Sequence, residues 1–231
     1  MNSKAWLLIA VSMLSWSRGA AADSARPVEN PLDALASTAA IIEGSVVGHH
    51  ATYDDAAGPR TIARLSDVRT HFGSYAGRML ELPMLDGRTA DGKWLYIPEL
   101  PRLTEDTRYL IFLTNSTWFY SPVVGDYIYR LEPGPRGGDV LIDPSGHAVV
   151  GLTADGVELS DEPVVDRQLD FLRPHAKERL IDPALLAGAM SKEAFLAAVQ
   201  GLARTAPLQG DFRPAPAGDR VWNRITTAAE R

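Results

Sequence analysis

The sequence predicts a mostly β domain in which antiparallel strands form a barrel with a hairpin meander and carry one C-terminal α-helix. Apolar residues repeat at the two-residue period of a strand between positions 41 and 159. Turn-forming residues interrupt that region at short intervals, which favours antiparallel connections. A helical spacing of apolar residues appears only after Ser191.

The first two strands are expected to pair as a hairpin. Ile41–Val47 is rich in β-branched residues, with Gly44 predicted at a β-bulge, and Thr61–Val68 alternates apolar and polar residues. The turn-rich residues 53–59 lie between them. Four further strands are predicted: 78–83, 93–98, 108–114 and 123–131. The segment 108–114 has an unbroken apolar core and is therefore expected to be buried on both faces.

A meander and a helix complete the predicted domain. Segments 140–142, 148–152 and 157–159 are separated by tight turns, the first of them Asp143-Pro144-Ser145-Gly146. Asp182-Pro183 is typical of a helix start, and Ser191 is expected to cap a helix that packs on the barrel. The apolar face of that helix consists of Phe195, Leu196, Val199 and Leu202.

Four regions are expected along the chain. Residues 1–22 read as a signal peptide, because Lys4 precedes an apolar run of about a dozen residues and the small residues 20–22 form a cleavage site. Residues 23–40 form a leader that ends in one or two helical turns. The β domain with its helix covers 41–204, and 205–231 is a Pro- and Gly-rich tether with a short terminal helix.

The composition restricts the location and the partners. A signal peptide without a second long apolar run predicts an exported protein, periplasmic or extracellular, with no transmembrane segment after cleavage. The sequence holds no Cys, so burial rather than disulfides must stabilise it. Its 29 acidic against 23 basic residues give a net charge of −6, which argues against nucleic acid as a partner.

The order of segments resembles a family of uncharacterised secreted bacterial proteins. The resemblance lies in AAIIEGSVV, TIARLSDV, PELPRLTEDTRYLIFL, YSPVVGDYIYRL and VLIDPSGHAVVG, with the helix MSKEAFLAAV after them. It implies a fold and an export route rather than an activity. More distantly, the arrangement is similar to the OB-type barrel of netrin-like domains, which include metalloprotease inhibitors. The inhibitory N-terminal Cys of those proteins has no counterpart here.

Two groups of residues are candidates for catalysis. His49, His50, Asp54 and Asp55 are the densest set of possible metal ligands, which suggests a metal-dependent hydrolase as an alternative function. Neighbouring strand residues point to opposite faces, however, and Asp is common in turns. Ser145 and His147 are better explained by a hairpin turn than by a Ser–His pair, because no Gly-x-Ser-x-Gly motif surrounds them.

The aromatic residues point to binding. Trp118, Phe119 and Tyr120 are consecutive after a buried strand, so they cannot all face one side of a sheet. With Trp94 and Tyr96 they could form a face for a protein or a carbohydrate, and packing under a loop is the alternative. The sequence therefore favours a non-catalytic binding module of the cell envelope or secretome, without a cofactor and with its oligomeric state open.

Overall fold

A computed structural model describes residues 30–54, 58–84, 86–95, 102–115, 121–167, 178–180 and 182–214. Its helices are α1 (Pro31–Ser37), a 3-10 helix (Pro183–Gly188) and α2 (Lys192–Leu202). Its strands are β1 (Ala40–Asp54), β2 (Gly58–Gly73), β3 (Leu80–Met84), β4 (Gly87–Arg88), β5 (Trp94–Leu95), β6 (Arg108–Leu113), β7 (Val123–Pro133), β8 (Asp139–Ile142), β9 (His147–Leu152), β10 (Val157–Pro163), β11 (Val165–Arg167) and β12 (Glu178–Leu180). The predicted signal peptide and terminal helix lie outside these residues.

One antiparallel sheet dominates the described part of the chain, so the predicted mostly β class is confirmed. Its strand order is β10-β9-β8-β7-β6-β1-β2-β3, and the pairs β4–β5 and β11–β12 are separate two-stranded sheets. Since β10 and β3 each have a single neighbour in this sheet within the described residues, the sheet is open. The closed barrel expected from the sequence is thus not confirmed.

The first hairpin has the predicted pairing and is longer than predicted. β1 continues to Asp54 and β2 begins at Gly58, so strand pairing extends well into the expected turn region. The register shifts at three places, between Ile41 and Ile42, between Glu43 and Ser45, and between Val46 and Gly48. At the second shift Gly44 is opposite two residues of β2, Asp67 and Val68. The irregularity predicted near Gly44 is present, but its additional residue lies on β2, where Asp67 has a positive φ, and not on β1. At the third shift Val47 is the additional residue, and it lies on β1 just beyond the part that pairs with β6.

β6 lies in the middle of the sheet and is buried on both faces, as predicted. Ile111 and Leu113 belong to an apolar cluster on one face, which we call the first core. Leu110 and Phe112 belong to a second core on the opposite face. Two helices cover the second core, α1 through Leu35 and α2 through side chains that include Phe195, so both helices are part of the packed structure.

The meander follows the predicted turns. Asp143 Oδ1 accepts hydrogen bonds from the backbone N–H groups of Ser145, at 3.0 Å, and His147, at 2.7 Å. Gly146 N–H donates to the Asp143 carbonyl at 3.1 Å, which closes the turn between β8 and β9. A third, smaller core of β8 and β9 residues is completed by Val164 and Leu186.

The C-terminal part of the described chain is packed more closely than the sequence indicated. The Ser191 hydroxyl accepts a hydrogen bond from Ala194 N–H at 3.2 Å, so the predicted helix cap is confirmed. Residues from Thr205 onward were expected to form a tether. Instead Phe212 is 5% exposed in the first core, because the chain crosses from α2 back over the sheet.

The two edge strands of the sheet are interrupted or charged. β3 contains Pro83, which lacks a backbone N–H. β10 carries Glu158, Asp161 and Glu162 on its exposed positions and ends at Pro163. These are features by which natural sheets limit further strand pairing.

Candidate functional site

Five ionisable side chains meet where β1, β2, β6, β8 and α2 approach one another. They are Glu43, His71, Arg108, Asp139 and Lys192, which we call the charged cluster. The charged cluster could not be predicted from the sequence, because Glu43 and Lys192 lie 149 positions apart along the chain. Among its members, only Glu43 indicates such a cluster from the sequence. A carboxylate inside the apolar run of β1 requires a charged or hydrogen-bonding partner.

Local backbone features place the two outer members of the charged cluster. Ile41 pairs with Phe72 and Ile42 with Thr70, so His71 is the additional residue of a bulge, a position that redirects a side chain. Lys192 is the first residue of α2 and follows the helix cap, Ser191, which forms a bridge with Val140. That bridge holds the start of α2 against β8, beside Asp139.

Glu43 lies at the centre of the charged cluster, with its side chain only 7% exposed. Arg108 Nη1 donates to Glu43 Oε1 at 3.1 Å. Lys192 Nζ donates to Oε2 at 2.9 Å, and His71 Nε2 lies 3.1 Å from the same oxygen. Arg108 and Lys192 also contact Asp139, the latter at 3.1 Å, so two carboxylates share two permanent cations.

The electrostatics of the charged cluster follow from these contacts. The hydrogen bond with His71 holds the pKa of Glu43 down at about 2; burial opposes this shift, and Lys192 reinforces it. Burial would lower the pKa of Lys192, but its hydrogen bonds with Glu43 and Asp139 outweigh burial and raise it. A carboxylate with such a pKa is a poor proton acceptor at neutral pH, since a general base works best near the operating pH. Because Lys192 begins α2 and bonds to Glu43 and Asp139 on the sheet, the charged cluster connects α2 to the sheet.

The proposed metal ligands are placed on different faces of β1. The His49 side chain is 7% exposed, and its Nδ1 lies 3.2 Å from Glu105 Oε1, whereas the next residue, His50, is exposed. The side chain of Asp54 and all of Asp55 lie outside the described residues. Among the described side chains, no three of His, Asp or Glu are grouped so that they could hold one metal ion.

The structure assigns Ser145 and His147 to the turn. The Ser145 hydroxyl donates to Asp143 Oδ2 at 2.5 Å, and His147 Nδ1 lies 2.7 Å from the Ser160 carbonyl oxygen. Each side chain has its own partner, so the hairpin-turn interpretation is supported over a Ser–His pair.

The predicted aromatic face falls largely on residues that the structure does not describe. Trp118, Phe119, Tyr120 and Tyr96 lie outside the described residues, and for Trp94 only the backbone is described. Asn115 and Ser121, the residues on either side of 116–120, are described. Thr114 N–H donates to the Pro122 carbonyl at 2.8 Å, which closes the base of the β6–β7 connection. Ser121 Oγ lies 3.4 Å from Met84 Sδ, at the end of β3.

Comparisons with protein-family models, curated proteins and solved structures gave no match for this chain. Among the helices in the described ranges, none has the length and apolar content needed to cross a membrane.

Proposed function

We propose that this chain is an exported, non-catalytic binding protein of the cell envelope or secretome. Its contact residues are Trp118, Phe119 and Tyr120 with Trp94 and Tyr96, and its partner is a protein or a carbohydrate. The observation that carries the proposal is the contact between Ser121 and Met84, which joins the two parts of the chain that hold these aromatic residues.

The contact has a direct consequence for the aromatic residues. Ser121 ends the connection that contains positions 118–120, and Met84 ends β3. β4 begins three residues after Met84 and pairs with β5, where Arg88 is opposite Trp94. The described residues from which the two aromatic segments continue, Ser121 and Met84, are therefore in contact. Aromatic side chains provide large contact areas and are frequent anchors of binding sites, which supports a binding role for these segments.

The charged cluster offers no general base for hydrolysis. Glu43 accepts hydrogen bonds at both of its oxygens and has a pKa of about 2, far below neutral pH. The metal-dependent hydrolase built on His49 or His50 with Asp54 or Asp55 gains no support from the opposite exposure of the two histidines.

An OB-like curvature is part of the proposal. β1 pairs with β6 only through its first residues, Ala40–Ser45, and with β2 along nearly its whole length. Val46 pairs with Leu65 and Gly48 with Arg64, so Val47 is an additional residue on β1 just beyond its β6-paired part. Bulged strands bend, and such bends are how sheets turn corners, which supports an OB-like curvature.

Partner capture from envelope and secreted fractions, together with a glycan array, tests the proposed function. We expect the chain to retain a specific partner and the double variant Trp118→Ala, Tyr120→Ala to lose at least tenfold of that binding. Leu159→Ala is the matched control, because Leu159 is an exposed apolar residue on β10, at the other end of the sheet order. Equal binding by the double variant would overturn the proposal. So would substrate turnover that stops when stoichiometric metal is removed.

A further inference from the structure

The segment after α2 lies across the sheet in an extended conformation that resembles a bound peptide. We call residues 207–214 the strap. Gln209 N–H donates to the Thr38 carbonyl at 2.8 Å, and Phe212 N–H donates to the Ser74 carbonyl at 2.9 Å. Ser74 and Asp211 form a parallel β-bridge. The strap therefore adds to the end of β2 in the way that an extended peptide adds to a sheet edge.

Asn115 holds the strap from the opposite side. Its Nδ2 donates to the Asp211 carbonyl at 2.7 Å, and its Oδ1 accepts from Arg213 N–H at 2.8 Å. These two hydrogen bonds go to backbone atoms of the residues immediately before and after Phe212. The side-chain amide of Asn115 thus takes the place of a neighbouring strand's backbone amide. Side-chain amides can do this because they offer a donor and an acceptor side by side.

Two side chains of the strap are recognised individually. The Ser74 hydroxyl donates to Asp211 Oδ1 at 2.6 Å. Phe212 enters the first core, where its ring centroid lies 5.8 Å from that of Tyr75. A carboxylate followed by a buried aromatic side chain is thus the sequence pattern that this groove accommodates.

We propose that the groove between Ser74–Tyr75 and Asn115 is a binding site for an extended peptide with an acidic residue followed by an aromatic one. In this structure the chain's own Asp211–Arg213 fills it. The inference rests on the proposed function and deepens it by naming the partner as a peptide. Asn115 is the second residue of the β6–β7 connection, so the groove lies where the chain segment with positions 118–120 begins.

Occupation by the chain itself makes the site self-inhibited. A tethered segment acts at an effective concentration of roughly millimolar. A free peptide of similar affinity competes poorly with it, so binding requires either a stronger peptide or release of the strap.

Release of the strap provides the test. In the full-length chain, Phe212→Ala removes the anchor, and Phe212→Leu is the matched control that keeps an apolar side chain. The probe is a fluorescent synthetic peptide with the sequence of residues 208–214, LQGDFRP. We expect Phe212→Ala to bind it at least tenfold more tightly than the wild type or Phe212→Leu, and the added substitution Asn115→Ala to reduce that gain at least fivefold.

Thermal unfolding covers the case in which Phe212→Ala folds poorly. LQGDFRP is expected to raise the Tm of this variant, whereas the same peptide with Asp and Phe each replaced by Ala is expected to leave it unchanged. The inference is overturned if both peptides have the same effect, or if Phe212→Ala binds LQGDFRP no better than the wild type. The two proposals can fail separately. If the double variant Trp118→Ala, Tyr120→Ala still binds the peptide and still captures the partner, only the proposed aromatic face is contradicted.

Discussion

Replacing Glu43 with Gln removes the charge at the centre of the charged cluster while keeping the side chain's shape. The pKa of Glu43 falls from an ordinary value of 4.5 to about 2 on folding. Since one pKa unit corresponds to about 1.4 kcal/mol, the ionised carboxylate stabilises the folded chain by about 3 kcal/mol at neutral pH. Glu43→Gln is therefore expected to lower the free energy of unfolding by about 2–3 kcal/mol, because His71 and Lys192, which lower the pKa of Glu43, are themselves partly screened by solvent.

The pH dependence separates this effect from ordinary packing loss. The folded-state pKa lies below the unfolded one, so the contribution is complete above about pH 5 and is lost as the pH falls toward 2. Between pH 7 and pH 3 the difference between wild type and Glu43→Gln should shrink by about 2 kcal/mol.

Urea unfolding at pH 7, 5 and 3, followed by circular dichroism, measures the difference. Glu81→Gln is the matched control, because Glu81 is exposed on β3, and its effect is expected to stay within about 0.5 kcal/mol at each pH. A Glu43→Gln effect that is equally large at pH 7 and pH 3 would refute the electrostatic explanation. So would an effect no larger than that of Glu81→Gln.

Two further predictions follow from the second core and from α2. Burial raises the pKa of Tyr127 to about 12 and raises the pKa of Tyr129 well above its usual value. An absorbance titration should therefore show these two tyrosines ionising well after a Tyr with an ordinary pKa, near or after alkaline unfolding. Ionisation of all tyrosines near pH 10 in the folded chain would contradict their burial. Ser191→Ala should cost about 1 kcal/mol in urea unfolding, because the Ala194 N–H loses its cap, whereas Ser191→Thr should restore most of that loss.

Features set by neighbouring residues were predictable from the sequence. The apolar run of β6 indicated burial on both faces, which is confirmed. Thr61–Val68 lies in β2 as predicted, but its alternation is interrupted where the adjacent residues Ile62 and Ala63 are both buried. The turn at Asp143 and the cap at Ser191 are formed by side chains that bond to backbone groups two to four residues away. Such contacts depend only on residues that are close in the chain, so they can be predicted from the sequence.

Features set by distant pairing were not predictable. Glu43 and Lys192 meet only because β1 lies near the middle of the sheet and α2 begins beside β8. The Pro- and Gly-rich composition after Thr205 indicated a tether, yet Phe212 is buried because the groove beside Asn115 accepts an extended chain. Whether the sheet closes into a barrel also depends on which distant strands pair, and the periodicity of apolar residues does not reveal this. The same holds for the side chains of the proposed aromatic face.

The form of the two sheet edges bears on how the protein behaves in a crowded compartment. A neighbouring molecule approaching β3 finds no amide hydrogen at Pro83, and one approaching β10 meets repulsion between carboxylates and then a second proline. We therefore expect these two edges to disfavour stacking into fibrils through β3 and β10, by repulsion and by missing amide hydrogens.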